Sequence, residues 1–81
     1  MPYIKNADRE RLKLTTDPRT AGELNYMITS LILQYWNEHP QNYQTINDIV
    51  GAVEGAKLEF NRRVVAEYEN QKALENGDVY S

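Results

Sequence analysis

Between Thr45 and Glu75 the chain contains no proline, and apolar residues recur there at helical spacing. Such a run forms one helix of roughly 30 residues, about 45 Å long. That is long for a chain of 81 residues. The helical stretch before it, residues 20–38, is too short to cover it from end to end. The pattern therefore predicts an all-α fold with apolar surface to spare. The expected architecture is a single domain over residues 1–81. It is a helical hairpin with a short N-terminal helix and one long C-terminal helix, packed in a homo-oligomer.

Proline, glycine and capping residues set the boundaries. Residues 2–5 look extended, and Asn6 can cap a short helix over 7–14. Asp17-Pro18 then forces a turn, because the residue before a proline avoids the α region. Thr20-Ala21-Gly22-Glu23 has the form of a capping box, in which the Thr20 hydroxyl takes an orphan N–H and Glu23 reaches back. Pro40 stops the helix that follows, and His39 suits the negative end of its dipole. That role is structural. The same cap logic makes Thr45 the N-cap of the long helix over 45–75, with Asp48 in its first turn. Asn76-Gly77 ends it, since both residues tolerate a left-handed cap.

Each long helix carries an apolar stripe. Leu24, Met27, Ile28, Leu31 and Tyr35 align on the second helix; Ile46, Ile49, Val50, Val53, Phe60, Val64 and Tyr68 align on the third. Facing each other, the stripes would form the hairpin core. Tyr26, Leu33 and Trp36 are left over on the second helix, and Gly51, Gly55 and Leu58 form another line on the third. An interior glycine costs about 0.8–1 kcal/mol relative to alanine. Two of them four residues apart offer a flat strip for another backbone, so these residues are expected at an interface between copies.

Composition narrows the chemistry. The chain has no cysteine and one histidine, so disulfides, thiolate metal sites and an ordinary zinc site are excluded, and no cofactor is expected. Oligomerisation remains as the stabilising device for a domain this small. No apolar run approaches the ~20 residues that span a bilayer, and no signal-peptide pattern opens the sequence. A cytoplasmic protein is expected, with no membrane partner. The net charge of −3 argues against duplex nucleic acid as a partner, because affinity for it comes from neutralising phosphates. The local clusters Arg9/Arg11/Lys13 and Arg62/Arg63 can still hold a small anion; solvated helix faces are the plainer reading. No phosphate loop, nucleophile with a histidine partner, or Glu-x-x-His pair is present. The chain is expected not to be an enzyme.

One constellation stands out. Lys57 falls on the apolar stripe of the third helix, flanked by Glu54 and Asn61, and Arg62 and Arg63 follow directly. Asn25 and Asn47 lie on the shoulders of the two stripes, and Tyr26, Tyr43 and Tyr68 are near in the pattern. Polar groups set in an apolar wall are what a small-molecule pocket requires. Arginine gives bidentate recognition of phosphate, and tyrosine can stack a base. The candidate ligand-binding residues are thus Arg62, Arg63 and Lys57 for charge, Tyr26 and Tyr68 for stacking, and Asn25 and Asn47 for base or ribose edges. An ordinary Lys57–Glu54 ion pair is the competing reading.

Met1-Pro2-Tyr3-Ile4-Lys5, Leu24-Asn25-Tyr26-x-Ile28-Thr29, Thr45-Ile46-Asn47-Asp48, Lys57-Leu58-Glu59-Phe60-x-Arg62-Arg63 and Glu75-Asn76-Gly77-Asp78-Val79-Tyr80 together carry a resemblance. The chain resembles a family of small helical proteins of unknown function found in phages and bacteria. The likeness covers nearly the whole chain, although typical members have a longer acidic insertion before the Leu-Asn-Tyr segment. By analogy with small phage proteins that act against host defences, the resemblance implies a sponge. Such a protein sequesters a cyclic nucleotide or related signal at protomer interfaces, in the host cytoplasm. The alternative expectation is a protein–protein adaptor or inhibitor acting through Tyr26, Leu33 and Trp36.

Overall fold

A computed structural model describes residues 3–80. The protein is all-α, with no strand among the described residues. Helix α1 spans Asn6–Thr15, α2 spans Ala21–Glu38 and α3 spans Tyr43–Phe60. The chain then continues without a break through a π-helical turn, Asn61–Val65, into α4, Ala66–Asn76. Three helical stretches were expected and three are present, the last divided by the π turn. Two compact units follow one another along the chain, the first ending at Ile46 and the second beginning at Asn47.

The first unit is built around the turn between α1 and α2. Residues 3–5 are irregular, in line with the expected extended start; Pro2 lies outside the described residues. Asn6 is the first helical residue and not the cap. Lys5 takes the cap position with no side-chain bond, and the Arg9 N–H donates to the Lys5 carbonyl at 3.1 Å. Helix α1 closes on Thr16, which adopts the left-handed conformation at φ 47° and donates its N–H to the Leu12 carbonyl. Leu12 is the sole buried hydrophobic residue among the described residues.

At the start of α2, Thr20 caps as expected: the Glu23 N–H donates to Thr20 Oγ1 at 3.1 Å. The Glu23 carboxylate, however, passes over the Thr20 N–H. It accepts instead from the Arg19 N–H at 3.0 Å and from the Arg11 guanidinium. Arg11 also donates to the Asp17 carbonyl at 2.7 Å, so one arginine of α1 fastens both the turn and the first turn of α2. Helix α2 ends before Pro40. His39 Nδ1 lies 2.8 Å from the Tyr35 carbonyl, and its ring stacks on Tyr35 at 3.8 Å. Donation from Nδ1–H satisfies one of the orphan carbonyls at the helix end.

The third stretch starts two residues earlier than expected, because its cap is Asn42. The Thr45 N–H donates to Asn42 Oδ1 at 3.0 Å, which makes Thr45 a buried residue inside the first turn and not the N-cap. At the other end α4 reaches Asn76. Gly77 has φ 90°, a conformation that L side chains rarely adopt, and its N–H returns to the Ala73 carbonyl at 2.9 Å.

The apolar stripes remain exposed. Leu24, Ile28, Leu31 and Tyr35 on α2 and Ile46, Val50, Val53, Phe60, Val64 and Tyr68 on the third stretch are all exposed, while Met27 and Ile49 are half-buried. No residue of the second unit is buried among those described. A single helix that buries no apolar face is marginal in water. A Cβ placed on Gly51 or Gly55 would meet nothing within 4 Å.

Candidate functional site

The second unit holds five of the candidate binding residues, Asn47, Lys57, Arg62, Arg63 and Tyr68, and the first unit holds Asn25 and Tyr26. Their surroundings differ from the sequence expectation in informative ways.

Lys57 lies in no apolar wall. Its side chain is 67% exposed, and its ammonium pairs with Glu54 at 3.8 Å, one helical turn away. A lysine on the stripe snorkels or pairs when that stripe is buried, but here the stripe is open to solvent. The ordinary ion pair, weighed against a site role, is the arrangement observed.

Arg62 and Arg63 are brought together on one carboxylate. Arg62 Nη2 lies 2.7 Å from Glu59 Oε1 and its Nε 3.3 Å from Oε2, while Arg63 Nε lies 3.1 Å from Oε1. Bonding to Arg62 first, and then to Arg63, holds the Glu59 carboxyl below its ordinary range. Two guanidinium groups thus share one negative charge, and the cluster keeps a net positive charge. Both arginines belong to the π turn, in which the Ala66 N–H donates to the Asn61 carbonyl five residues back. A π turn widens one turn of the helix, and such turns occur often at functional sites. Nothing in the spacing of the sequence marks it.

The tyrosines are engaged locally. Lys72 Nζ stands 5.6 Å over the Tyr68 ring, and the Arg9 guanidinium stands 5.6 Å over the Tyr26 ring. One face of each ring is therefore covered by a cation of the same chain. Arg9 is also notable because its Nε is buried with no hydrogen-bond partner. Asn25 accepts from the Thr29 hydroxyl at 3.0 Å, so its amide oxygen is committed within its own helix. Asn47 is exposed near the start of α3.

Arg11 and Glu23 are the most enclosed charged pair, yet their partners are the turn and the cap described above. They hold the fold of the first unit. The acidic residues do not assemble for metal: among the described residues no group of three or more His, Asp or Glu side chains is placed to hold an ion. Among the described residues no helix is long and apolar enough to cross a membrane.

What the second unit can do chemically follows from these distances. The Arg62–Arg63 fork is exposed, positively charged and bonded to a single carboxylate that an incoming phosphate could replace. No curated protein and no solved structure gives a significant match to the chain. A family model does match, over residues 1–79. The chain belongs to the family described as a domain of unknown function (DUF6899).

Proposed function

We propose that this protein is a non-enzymatic, self-assembling binding protein that captures a small anion of the nucleotide class at an interface between subunits. In this reading the chain packs as a helical hairpin within a homo-oligomer. The observation that carries the reading is the Arg62–Arg63 fork on Glu59 in the π turn. Two adjacent guanidinium groups match the geometry of a phosphate and can bind it in bidentate fashion. Exposed on one chain, the fork gains strength only where a second surface excludes water, since an exposed ion pair contributes little. Self-assembly is supported by the apolar residues left open along α2 and the third stretch. Asn25, Tyr26, Asn47, Lys57 and Tyr68 would complete the pocket, with Lys57 and the tyrosines released from their local partners. In a phage, a sponge of this kind would lower the concentration of a cyclic nucleotide signal on which a host defence depends.

A thermal-shift series with cyclic dinucleotides, cyclic mononucleotides and ADP-ribose tests the reading. A ligand at ~100 times its Kd stabilises the folded state by about 2.7 kcal/mol. Stabilisation by at least one of these anions is expected, with its loss in R62A/R63A. The absence of any shift at hundredfold excess over protein would overturn the proposal. Recovery of the ligand chemically unchanged is expected of a sponge, and turnover would replace it with an enzyme.

The adaptor reading is favoured by a separate observation: Leu33 is 52% exposed on α2, while Tyr26, seven residues before it, and Trp36, three after, are half-buried. It expects a stoichiometric protein partner in a pull-down, and loss of that partner in L33D.

A further inference from the structure

We infer that Arg9, held on the ring of Tyr26, is a binding site in the first unit for an oxyanion of the phosphate class. The site needs neither the Arg62–Arg63 fork nor a second copy of the chain, so it goes beyond the function proposed above. It gives Tyr26 a further task, as the platform under a guanidinium.

The acids of the first unit are all engaged away from Arg9. There are five of them: Asp8, Glu10, Asp17, Glu23 and Glu38. Asp8 and Glu10 flank Arg9 in the sequence, yet Asp8 lies 3.9 Å from Arg11 and Glu10 lies 3.1 Å from Lys13. Asp17 lies 3.6 Å from Arg19. Glu23 takes the Arg11 guanidinium and the Arg19 N–H, and Glu38 accepts from Gln34 at 3.4 Å. Of the cluster Arg9/Arg11/Lys13, Arg9 is the member left with no carboxylate. Its guanidinium makes no hydrogen bond among the described residues.

The placement of Arg9 favours a ligand. The guanidinium stands 5.6 Å over the Tyr26 ring, close enough for a cation–π contact that holds it in place. Its Nε is buried with no acceptor, while its Nη atoms are not enclosed. A charged N–H buried without an acceptor is costly, and a bound ion is one of the few things that account for such a group. The open end of a guanidinium donates two parallel bonds to a carboxylate or a phosphate. Lys5 selects between the two. Its carbonyl accepts the Arg9 N–H at 3.1 Å, so it stands one helical turn before Arg9. It is exposed, and its ammonium makes no ion pair among the described residues. Two cations without a carboxylate suit a phosphate group, which carries about −1.5 to −2 charges at pH 7, better than a single carboxylate.

The test uses isotope-labelled, full-length R62A/R63A, in which the fork is gone. It is titrated with inorganic phosphate and followed by heteronuclear NMR. The Arg9 Nε–H signal, identified by its loss in R9K, should move and saturate, together with the Tyr26 amide. R9A should abolish the movement at Tyr26. R9K should weaken binding about tenfold or more, as expected for loss of a hydrogen bond between charged groups. If R9A loses helix by circular dichroism, the Arg9 signal and R9K carry the test. Adenosine monophosphate binding more tightly than inorganic phosphate would mark a nucleotide as the source, and equal binding would mark the free ion; both support the site. No saturable movement of the Arg9 signal, or the same movement with sodium chloride at matched ionic strength, would overturn the inference. Phosphate binding to the unsubstituted protein that vanishes in R62A/R63A would also overturn it, and leave the fork and the proposed function standing. Binding at Arg9 with nucleotide affinity untouched by R62A/R63A would instead overturn the fork and leave this site. Loss of self-association in R9A with no response to phosphate would show that the acceptor is a carboxylate of another chain, and would equally overturn the site.

Discussion

At Glu23 one carboxylate serves three ends. Its own N–H is held by Thr20, and its oxygens take the Arg19 N–H and the Arg11 guanidinium. The bond from the Arg19 backbone, followed by that from Arg11, keeps its carboxyl below the ordinary 4.5. A carboxyl depressed in this way contributes stability that is present above its unfolded value and lost as pH falls through the folded one. The first unit should therefore lose helix as the pH drops below about 4.5, followed by circular dichroism. E23Q should start less stable and show a shallower acid limb. Thr16 stores cost of another kind. A β-branched residue at φ 47° is held where side chains are crowded. Thr16→Gly should raise stability by about 1 kcal/mol, visible as a higher melting temperature, since the left-handed region costs an L residue roughly 1–2 kcal/mol. From the sequence, Thr20 and Glu23 were legible as a pair because a capping box has fixed spacing. The arm of Arg11 was not, because a contact across a turn leaves no periodic trace.

The elements were legible where local chemistry decides them. Pro40 and Gly77 end helices at the expected places, since one lacks a donor and the other alone fits φ 90° easily. The start of the third stretch was misplaced because Thr45 was read as the cap, whereas Asn42, three residues before it, holds that place. Asn42 is the better cap, and its choice leaves Thr45 inside the helix. Asn42→Ala should cost about 1 kcal/mol, with hydrogen exchange faster at the amides of the first turn of α3. The π turn escaped prediction for a different reason. Sequence periodicity assumes a constant twist, and five residues of wider helix change the phase without changing the composition. The candidate site rests on a different premise. Lys57 was assigned to an apolar wall on the premise that its stripe is buried, and in the chain by itself that stripe is open.

For the whole molecule, the deciding fact is that one hydrophobic residue, Leu12, is buried among those described. A domain of this size already has a thin margin when its core is complete. Some surplus of apolar surface was expected from the length of the third stretch, but the stripes expected to form the core are themselves exposed on the single chain. The sequence expects another copy of the chain to cover them, and the proposed function keeps that expectation. Association should therefore be linked to folding. The melting temperature should rise with protein concentration between about 1 and 100 µM, as mass action requires of a state that binds its own copies. A melting point independent of concentration over that range would contradict it.

The second unit, in which no described residue is buried, has a consequence for the protein in a cell. Helix without cover opens often, and an opened segment is a substrate for proteases in proportion to its population. Freshly made chains would then be cleared until enough of them accumulate to meet. Survival of the protein would follow a dosage threshold, with a lag after expression begins and a sharp rise in half-life once copies become numerous.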